Sequence, residues 1–326
     1  MNNVAKYQQQ IEDALKGKKY GTEPKELYLP IEYIMSLGGK RMRPVMVMLA
    51  CDLFDGDTSK ALHSALAIEL FHNFTLVHDD IMDKAPLRRN QPTVHEKWND
   101  NIAILSGDAM MVCAYQELCR SDLTLLPLLL EVFSDTAVKV CEGQQLDMNY
   151  EQLQKVSIPQ YIKMIELKTA VLLGGAFKMG AVIGGAREED GQRLFDFGKH
   201  LGIAFQLQDD VLDVYADASQ FGKQKGGDII ANKKTFLLLK AIEMAESNRY
   251  MKEELHQWIN APHFDAKEKV DAVTNIYNFL NVKELAKTEM KKHFEKALLC
   301  LKEIPVAETK KKELIAFAEG IMWREK

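Results

Sequence analysis

Two stretches carry the same five-residue pattern, DDxxD: Asp79-Asp80-Ile81-Met82-Asp83 and Asp209-Asp210-Val211-Leu212-Asp213. On an α-helix, residues i and i+4 share a face, so Asp79 stacks over Asp83 and Asp209 over Asp213 as two carboxylate columns. Like charges stacked in this way repel, and the flanking sequence, Phe74 to His78 and Ile203 to Gln208, is too apolar to be an ordinary solvated face. Carboxylates in apolar surroundings are costly unless paired or metal-bound. Two such columns become favourable when hard divalent cations lie between them, and oxygen-only ligands point to Mg²⁺. Mg²⁺ in turn suggests a phosphate-bearing ligand.

Cationic residues accompany the acidic ones. Gly39-Lys40-Arg41-Met42-Arg43-Pro44 places three cations on a turn that leads into a helix, whose free N–H groups also favour anions. Arg88-Arg89 follow the first acidic motif. Lys168-Thr169 sit in the mostly apolar run Met164 to Leu173, and Gly222-Lys223, Lys225-Gly226-Gly227-Asp228 and Lys233-Lys234 follow the second motif in a glycine-containing loop. A single surface Lys or Arg carries no such meaning; it is the placement of the set beside both acidic motifs that reads as a polyanion site.

The elements that must hold these residues are helices. Apolar residues recur at three and four spacing over Ala61–Met82, Ile102–Leu118, Leu128–Met148, Tyr161–Ile183, Leu194–Val214, Phe236–Met244 and Leu314–Met322, and no stretch of comparable length alternates as a strand. Gly38-Gly39 and Gly184-Gly185 read as helix ends, Pro44 as a first-turn residue, and Ser157-Ile158-Pro159 as a helix start. The expectation is an all-α fold of about a dozen helices around a central bundle. Several helices are apolar on most faces, so other helices must surround them.

With 326 residues the chain can bury a large core. The nine prolines are scattered, and no linker, low-complexity tract or repeat divides the sequence, so one domain spanning 1–326 is expected. A formal net charge of −5 and the lack of a Lys/Arg run with interleaved aromatics argue against nucleic acid as a partner. The five cysteines are unclustered, which indicates neither a disulfide frame nor a zinc site, and they are expected to be core thiols. The apolar run Leu123 to Leu130 is interrupted by Thr124 and Pro127, no leader pattern opens the chain, and a cytoplasmic protein without integral membrane association is expected.

In these motifs the chain resembles the polyprenyl synthetase family of trans-isoprenyl diphosphate synthases, from about Tyr28 to Thr235. The matching residues are Gly38-Gly39-Lys40-Arg41-x-Arg43-Pro44, His72, Asp79-Asp80-x-x-Asp83 with Arg88-Arg89, Pro92-Thr93-Val94-His95, Gly143-Gln144-x-x-Asp147, Lys168-Thr169, Phe205-Gln206-x-x-Asp209-Asp210-x-x-Asp213 and Gly222-Lys223-x-x-Gly226-x-Asp228. The resemblance implies the isoprenoid synthase fold, with helices surrounding a substrate cavity, and a homodimeric enzyme that joins isopentenyl diphosphate to an allylic diphosphate. It implies about three Mg²⁺ ions held by Asp79, Asp80, Asp83, Asp209, Asp210 and Asp213. Arg88, Lys168, Lys223 and Lys233 would then contact the allylic diphosphate, and Lys40, Arg43, His72 and Arg89 isopentenyl diphosphate. Gln206, Thr169, Gln144 and Asp147 would line the reaction centre or orient the metal shell. Where the family commonly has glycine after the arginine pair this chain has Asn90, which tolerates left-handed backbone angles. Lys225 could share or replace the contact of Lys223.

Product length is read from Phe74 and Thr75, five and four positions before Asp79, which by the same resemblance lie near the floor of a tunnel for the growing chain. One bulky ring there fits a short product, with Met110, Met111 and Cys113 on a later helix as further wall residues. The first motif lacks the two extra residues of many bacterial farnesyl synthases, which favours a C20 over a C15 product. A class I terpene cyclase would replace the second DDxxD and would not need Lys40 and Arg43. A non-catalytic subunit of a heteromeric synthase would be expected to lose aspartates, and none is lost.

Overall fold

The computed structural model describes residues 3–216 and 226–322. The all-α expectation is met: apart from one two-stranded ribbon, the regular structure of the described residues is helical. Contacts gather the described residues into two compact units. The first draws on Met1–Ala137, Leu173–Phe195 and Glu303–Leu314, the second on Val138–Leu172, Asp196–Lys302 and Ile315–Lys326.

In the first unit, helices α1 (Asn3–Leu15), α2 (Lys25–Ser36), α3 (Met42–Leu53), α4 (Leu62–Met82), the short α5 (Val94–Lys97) and α6 (Asp100–Leu118) precede α7 (Leu126–Gln152). Ser64 to Phe71 on α4 are all buried, so this helix is enclosed on every side. The expected end at Gly38-Gly39 is present, with φ of 74° and 141°. Between α4 and α5, Leu87–Arg88 pairs antiparallel with Gln91–Pro92. The connecting turn puts Arg89 at φ 53° and Asn90 at φ 60°, the double left-handed geometry of a tight hairpin, which Asn accommodates. Gly180 packs on α3 so closely that a Cβ would lie 2.2 Å from the Val47 carbonyl oxygen.

The run expected to be one helix from Tyr161 to Ile183 is three pieces: α8 (Ile158–Ile165), a π-helical turn (Glu166–Ala170) and α9 (Val171–Ile183). Ser157 and Gln160 form a reciprocal capping box at the start of α8. The π turn lies in the second unit and is wedged between two glycines. A Cβ on Gly143 of α7 would meet the Lys168 backbone nitrogen at 2.1 Å, and one on Gly202 of α10 (Glu188–Tyr215) would meet the Ala170 Cα at 2.6 Å. Inserted turns of this type are frequent at functional positions. This one carries both Lys168 and Thr169.

Beyond α10 the second unit continues through α11 (Gly227–Ile230), α12 (Phe236–Ala245), α13 (Arg249–Asn260), α14 (Ala266–Phe279) and α15 (Val282–Lys302), with α16 (Glu308–Met322) closing the chain. Helices α10 and α15 meet at His200 and His293, whose Nδ1 atoms are 3.2 Å apart. One must donate and the other accept, so the contact requires at least one neutral ring. Burial and then His200 push His293 down to about 4; burial and then Lys199 lower His200. The cysteine expectation holds only for Cys51: Cys113 and Cys300 are half-buried, and Cys119, which caps the end of α6, and Cys141, on α7, are exposed.

Two outcomes follow from this packing. Gly143→Ala and Gly202→Ala each force backbone apart and should destabilise the protein by about 1–3 kcal/mol in urea unfolding. An ordinary His takes up a proton near pH 6.5 when unfolded, whereas folded His293 resists protonation until about 4. Stability is therefore present above pH 6.5 and lost as pH falls toward 4, by about 2 kcal/mol between pH 7 and pH 5. His293→Gln should remove most of that slope in a comparison of denaturation midpoints.

Candidate active site

Both acidic motifs sit in the closing turns of long helices, α4 in the first unit and α10 in the second, and neither helix has a basic residue in its last turn. A helix C-terminus carries a partial negative charge, so aspartates placed there add to an unfavourable potential that a cation would relieve.

Within each motif the aspartates divide by environment. Asp80 is 1% exposed, and its two carboxylate oxygens accept from Arg88 Nε at 2.8 Å and Arg88 Nη2 at 2.7 Å. Burial raises the Asp80 pKa, and the Arg88 hydrogen bonds and charge offset this only in part. The pairing in turn raises Arg88 despite the cost of its own burial. Asp79 is half-buried and Asp83 exposed, the latter as the residue that ends α4, with its N–H bonded to the Asp79 carbonyl at 2.8 Å.

The second motif repeats the division with different partners. Asp210 is 4% exposed; its Oδ2 accepts from the Tyr161 hydroxyl at 2.5 Å and the Phe236 N–H at 3.2 Å. Burial and then Asp228 push Asp210 well above the usual carboxylate range, while Tyr161, Phe236 and Gln206 act in the opposite direction. Gln206 Nε2 lies 3.5 Å from Asp210 Oδ1, and Gln206 Oε1 accepts from Thr169 Oγ1 at 3.2 Å. A continuous chain thus connects the π turn to the acidic motif. Lys168, on the same turn, pairs with Asp147 at 2.5 Å, both about a quarter exposed. Gln144 is buried and Asp209 half-buried.

Asp213, half-buried, is bonded to Gly226 and Asp228. Its carbonyl accepts from Gly226 N at 2.8 Å, and its Oδ2 accepts from Asp228 N at 3.1 Å. Lys233 N bonds the Asp228 carbonyl at 2.9 Å, and Lys234 Nζ donates to the carbonyls of Tyr150 and Glu151 at 2.7 and 2.9 Å, near the C-terminal end of α7. The Lys223 and Lys225 expectations lie outside the described residues.

The basic cluster of the first unit also separates into two kinds of residue. Arg41, expected with Lys40 and Arg43 as part of an anion site, is instead a buried structural cation. It has φ 47°, and bonds Glu12 at 2.8 Å, Glu69 at 2.6 Å and the Met35 carbonyl at 2.9 Å. Its left-handed backbone at the entrance to α3 turns the side chain inward while Lys40 stays exposed and Arg43 half-buried. Arg43 Nη1 donates to His72 Nε2 at 3.1 Å. The imidazole must accept there, since guanidinium can only donate. Burial, then Arg43, Arg89, Arg88 and Arg41, hold His72 well below its ordinary pKa, so it is a neutral acceptor that orients Arg43. Arg89 Nη1 donates to the Gly38 carbonyl, and its guanidinium lies 3.0 Å from where a Gly39 Cβ would be. Four guanidinium groups thus act on one neutral imidazole, and two of them, Arg41 and Arg88, are already paired with Glu69 and Asp80.

Phe74 and Thr75 are half-buried on α4. The Phe74 ring packs between Phe71, at 5.5 Å, and His78, at 4.8 Å between centroids, and Phe71 leads on to Phe133 and Tyr115. Thr75 Oγ1 bonds back to the His72 carbonyl at 2.8 Å. On α6, Met110 is fully buried, Met111 and Cys113 half-buried, and Gly107 makes room for His78.

Sequence reasoning missed Tyr161, Gly202 and the anchoring roles of Arg41 and Lys234. Nothing in a lone Tyr or a helical Gly announces a partner distant in sequence; only Lys234, adjacent to Lys233, carried a signal in the form of a charge pair in a loop.

Comparison with known proteins identifies the family. Residues 24–277 match the family model described as Polyprenyl synthetase. The chain is 42% identical over 224 residues to the geranylgeranyl diphosphate synthase of Methanosarcina mazei, covering 68% of this chain and 69% of that protein. A crystal structure of a geranylgeranyl pyrophosphate synthase, 41% identical, superposes with a TM-score of 0.94 over 100% of both chains. The synthetase from Pyrococcus horikoshii, 33% identical, gives 0.88 over 99% of this chain and 97% of that one. With its motifs held by all-helical units and its fold shared end to end with these proteins, the chain belongs to the polyprenyl synthetase family and is a prenyltransferase.

Proposed function

We propose that this enzyme condenses isopentenyl diphosphate with an allylic diphosphate, head to tail, and that its main product is geranylgeranyl diphosphate. The observation that carries the reading is the division of labour inside each acidic motif. The middle aspartate is buried and fastened to the protein, and Asp79, Asp83, Asp209 and Asp213 are the more accessible members of the two motifs. The names of the relatives support the C20 product.

The donor set fits Mg²⁺. It consists of hard carboxylate oxygens at helix C-termini, and among the described residues no three His, Cys, Asp or Glu side chains form a cage on their own. Mg²⁺ is usually held by one or two carboxylates and completed by phosphate oxygens and water. Bound there, it would neutralise charge growing on the leaving diphosphate. Lys168 and Lys233 add positive charge to the same group, with Lys223 in the family's position. At about 4 Å and an effective dielectric near 20, each such charge contributes on the order of 4 kcal/mol. Lys40, Arg43 and Arg89 hold isopentenyl diphosphate, with neutral His72 aiming Arg43. Gln206 and Thr169 face the reaction centre, where the double bond attacks the allylic cation. The proton that leaves passes to the released pyrophosphate, so no protein nucleophile is required.

Asp80 and Asp210 serve this site through Arg88 and through Tyr161 and Phe236. The chain acts as one catalytic domain, each compact unit being assembled from three separated stretches of sequence. A homodimer is part of the reading; Ile104, Leu105 and Val112, exposed apolar residues on α6, support it. No helix of the described residues is long and apolar enough to cross a membrane, and we place the enzyme in the cytoplasm.

Incubation with Mg²⁺, isopentenyl diphosphate and C5, C10 or C15 primers, then chromatography of the dephosphorylated alcohols, should give mainly the C20 alcohol; a C15 end product would identify a farnesyl diphosphate synthase instead. Asp79→Ala should lower turnover by roughly a hundredfold or more, and unaltered Mg²⁺-dependent rates would refute its role. Phe74→Ala should shift the distribution to longer chains, and an unchanged distribution would remove Phe74 from the chain-length wall.

A further inference from the structure

Lys269, on α14, is one of the largest fully buried side chains of the protein, 1% exposed. Among the described residues its ammonium forms no ion pair. It donates to Asn232 Oδ1 at 2.8 Å and to the Ile230 carbonyl at 3.3 Å, and lies 4.1 Å from the centre of the Phe264 ring. Burial lowers its pKa. A charged group whose acceptors among the described residues are neutral is a costly thing to bury, and a neutral side chain of equal length would serve packing better.

What the ammonium holds explains why it is there. Ile230 ends α11, and Asn232 has a left-handed φ of 53° in the turn that follows. Asn232 is gripped from a second side, its Nδ2 donating to the Ile259 carbonyl at 3.0 Å. Asp228 and Lys233 flank this turn and are joined by the Lys233 N–H to Asp228 carbonyl bond. The loop is tied to the second acidic motif at its start by Asp213 and at its end by the Phe236 N–H on Asp210. Lys269 supplies the fixed point between these two ties.

We propose that Lys269 is a positioning residue for the allylic diphosphate: by clamping Ile230 and Asn232 it sets where the Lys233 side chain is presented. The inference rests on the proposed function, because it takes Lys233 as a ligand of that diphosphate. The ammonium itself touches no substrate. Loss of the clamp should act on one substrate and not the other, since isopentenyl diphosphate is assigned to Lys40, Arg43 and Arg89.

The test is steady-state kinetics of Lys269→Met and of Asn232→Gly, the second keeping a backbone that tolerates positive φ while removing the acceptor. Each variant should raise KM for the allylic diphosphate roughly tenfold, as loss of supporting contacts behind a ligand commonly does, with KM for isopentenyl diphosphate unchanged. The double variant should be no worse than the more impaired single one. A merely structural lysine would reduce the folded, active fraction and so the apparent kcat, leaving both KM values alone, and that result would overturn the proposal. So would an equal rise in both KM values. If Lys269→Met does not fold, as judged by circular dichroism, Asn232→Gly decides alone by the same criteria. Absence of any Mg²⁺-dependent condensation by the unaltered enzyme would instead refute the proposed function.

Discussion

Burying a carboxylate at the negative end of a helix is the constraint around which this protein is organised. Asp80 and Asp210 each meet it by saturating their oxygens with protein donors, a guanidinium fork in one case and a hydroxyl with a backbone N–H in the other. Removing a donor would leave the charge stranded, at a cost of several kcal/mol. The donors are therefore fixed, and so is everything attached to them. Arg88 lies on the hairpin ribbon, Tyr161 on the helix before the π turn, and Phe236 at the start of α12. One buried acid in each motif thus gives its neighbours a rigid base from which to project.

The same logic separates the basic residues. A cation that satisfies a buried acid, as Arg41 does for Glu69 and Arg88 for Asp80, is committed to the fold. Arg43, by contrast, donates to a neutral group, His72. Sequence proximity does not distinguish the two kinds: Arg41 and Arg43 are two residues apart, and it is the left-handed backbone at Arg41 that sends them different ways.

Much of this was legible beforehand. Helical periodicity located α4, α6, α7 and α12 to within a few residues, because each has a face or a full circumference of apolar side chains, and it missed the polar first turns of α10, which begins at Glu188. The helix ends at Gly38-Gly39 and Ser157, and the tolerance of Asn90 for its turn, were legible because those signals are local. The break at Glu166–Ala170 was not, since a π turn leaves the apolar pattern almost intact. Nor was the burial of Cys51 as against Cys119, which depends on which helical face meets a neighbour. For the site, repeated aspartates and paired arginines are visible in one dimension. The partners of Asp210 are Tyr161 and Phe236, 49 residues before it and 26 after it, and no spacing rule could have joined them.

The inserted turn has a further consequence. A π turn accommodates one residue more than an α-helix would over the same rise, so the segment before it and the segment after it are phased independently. Evolution could therefore alter the mostly apolar run of α9 without rotating Lys168 and Thr169, and a one-residue deletion within 166–170 would swing everything downstream by about 100°. The extra residue acts as a mechanical joint in the sequence, letting one rod satisfy two sets of neighbours whose periodicities do not agree.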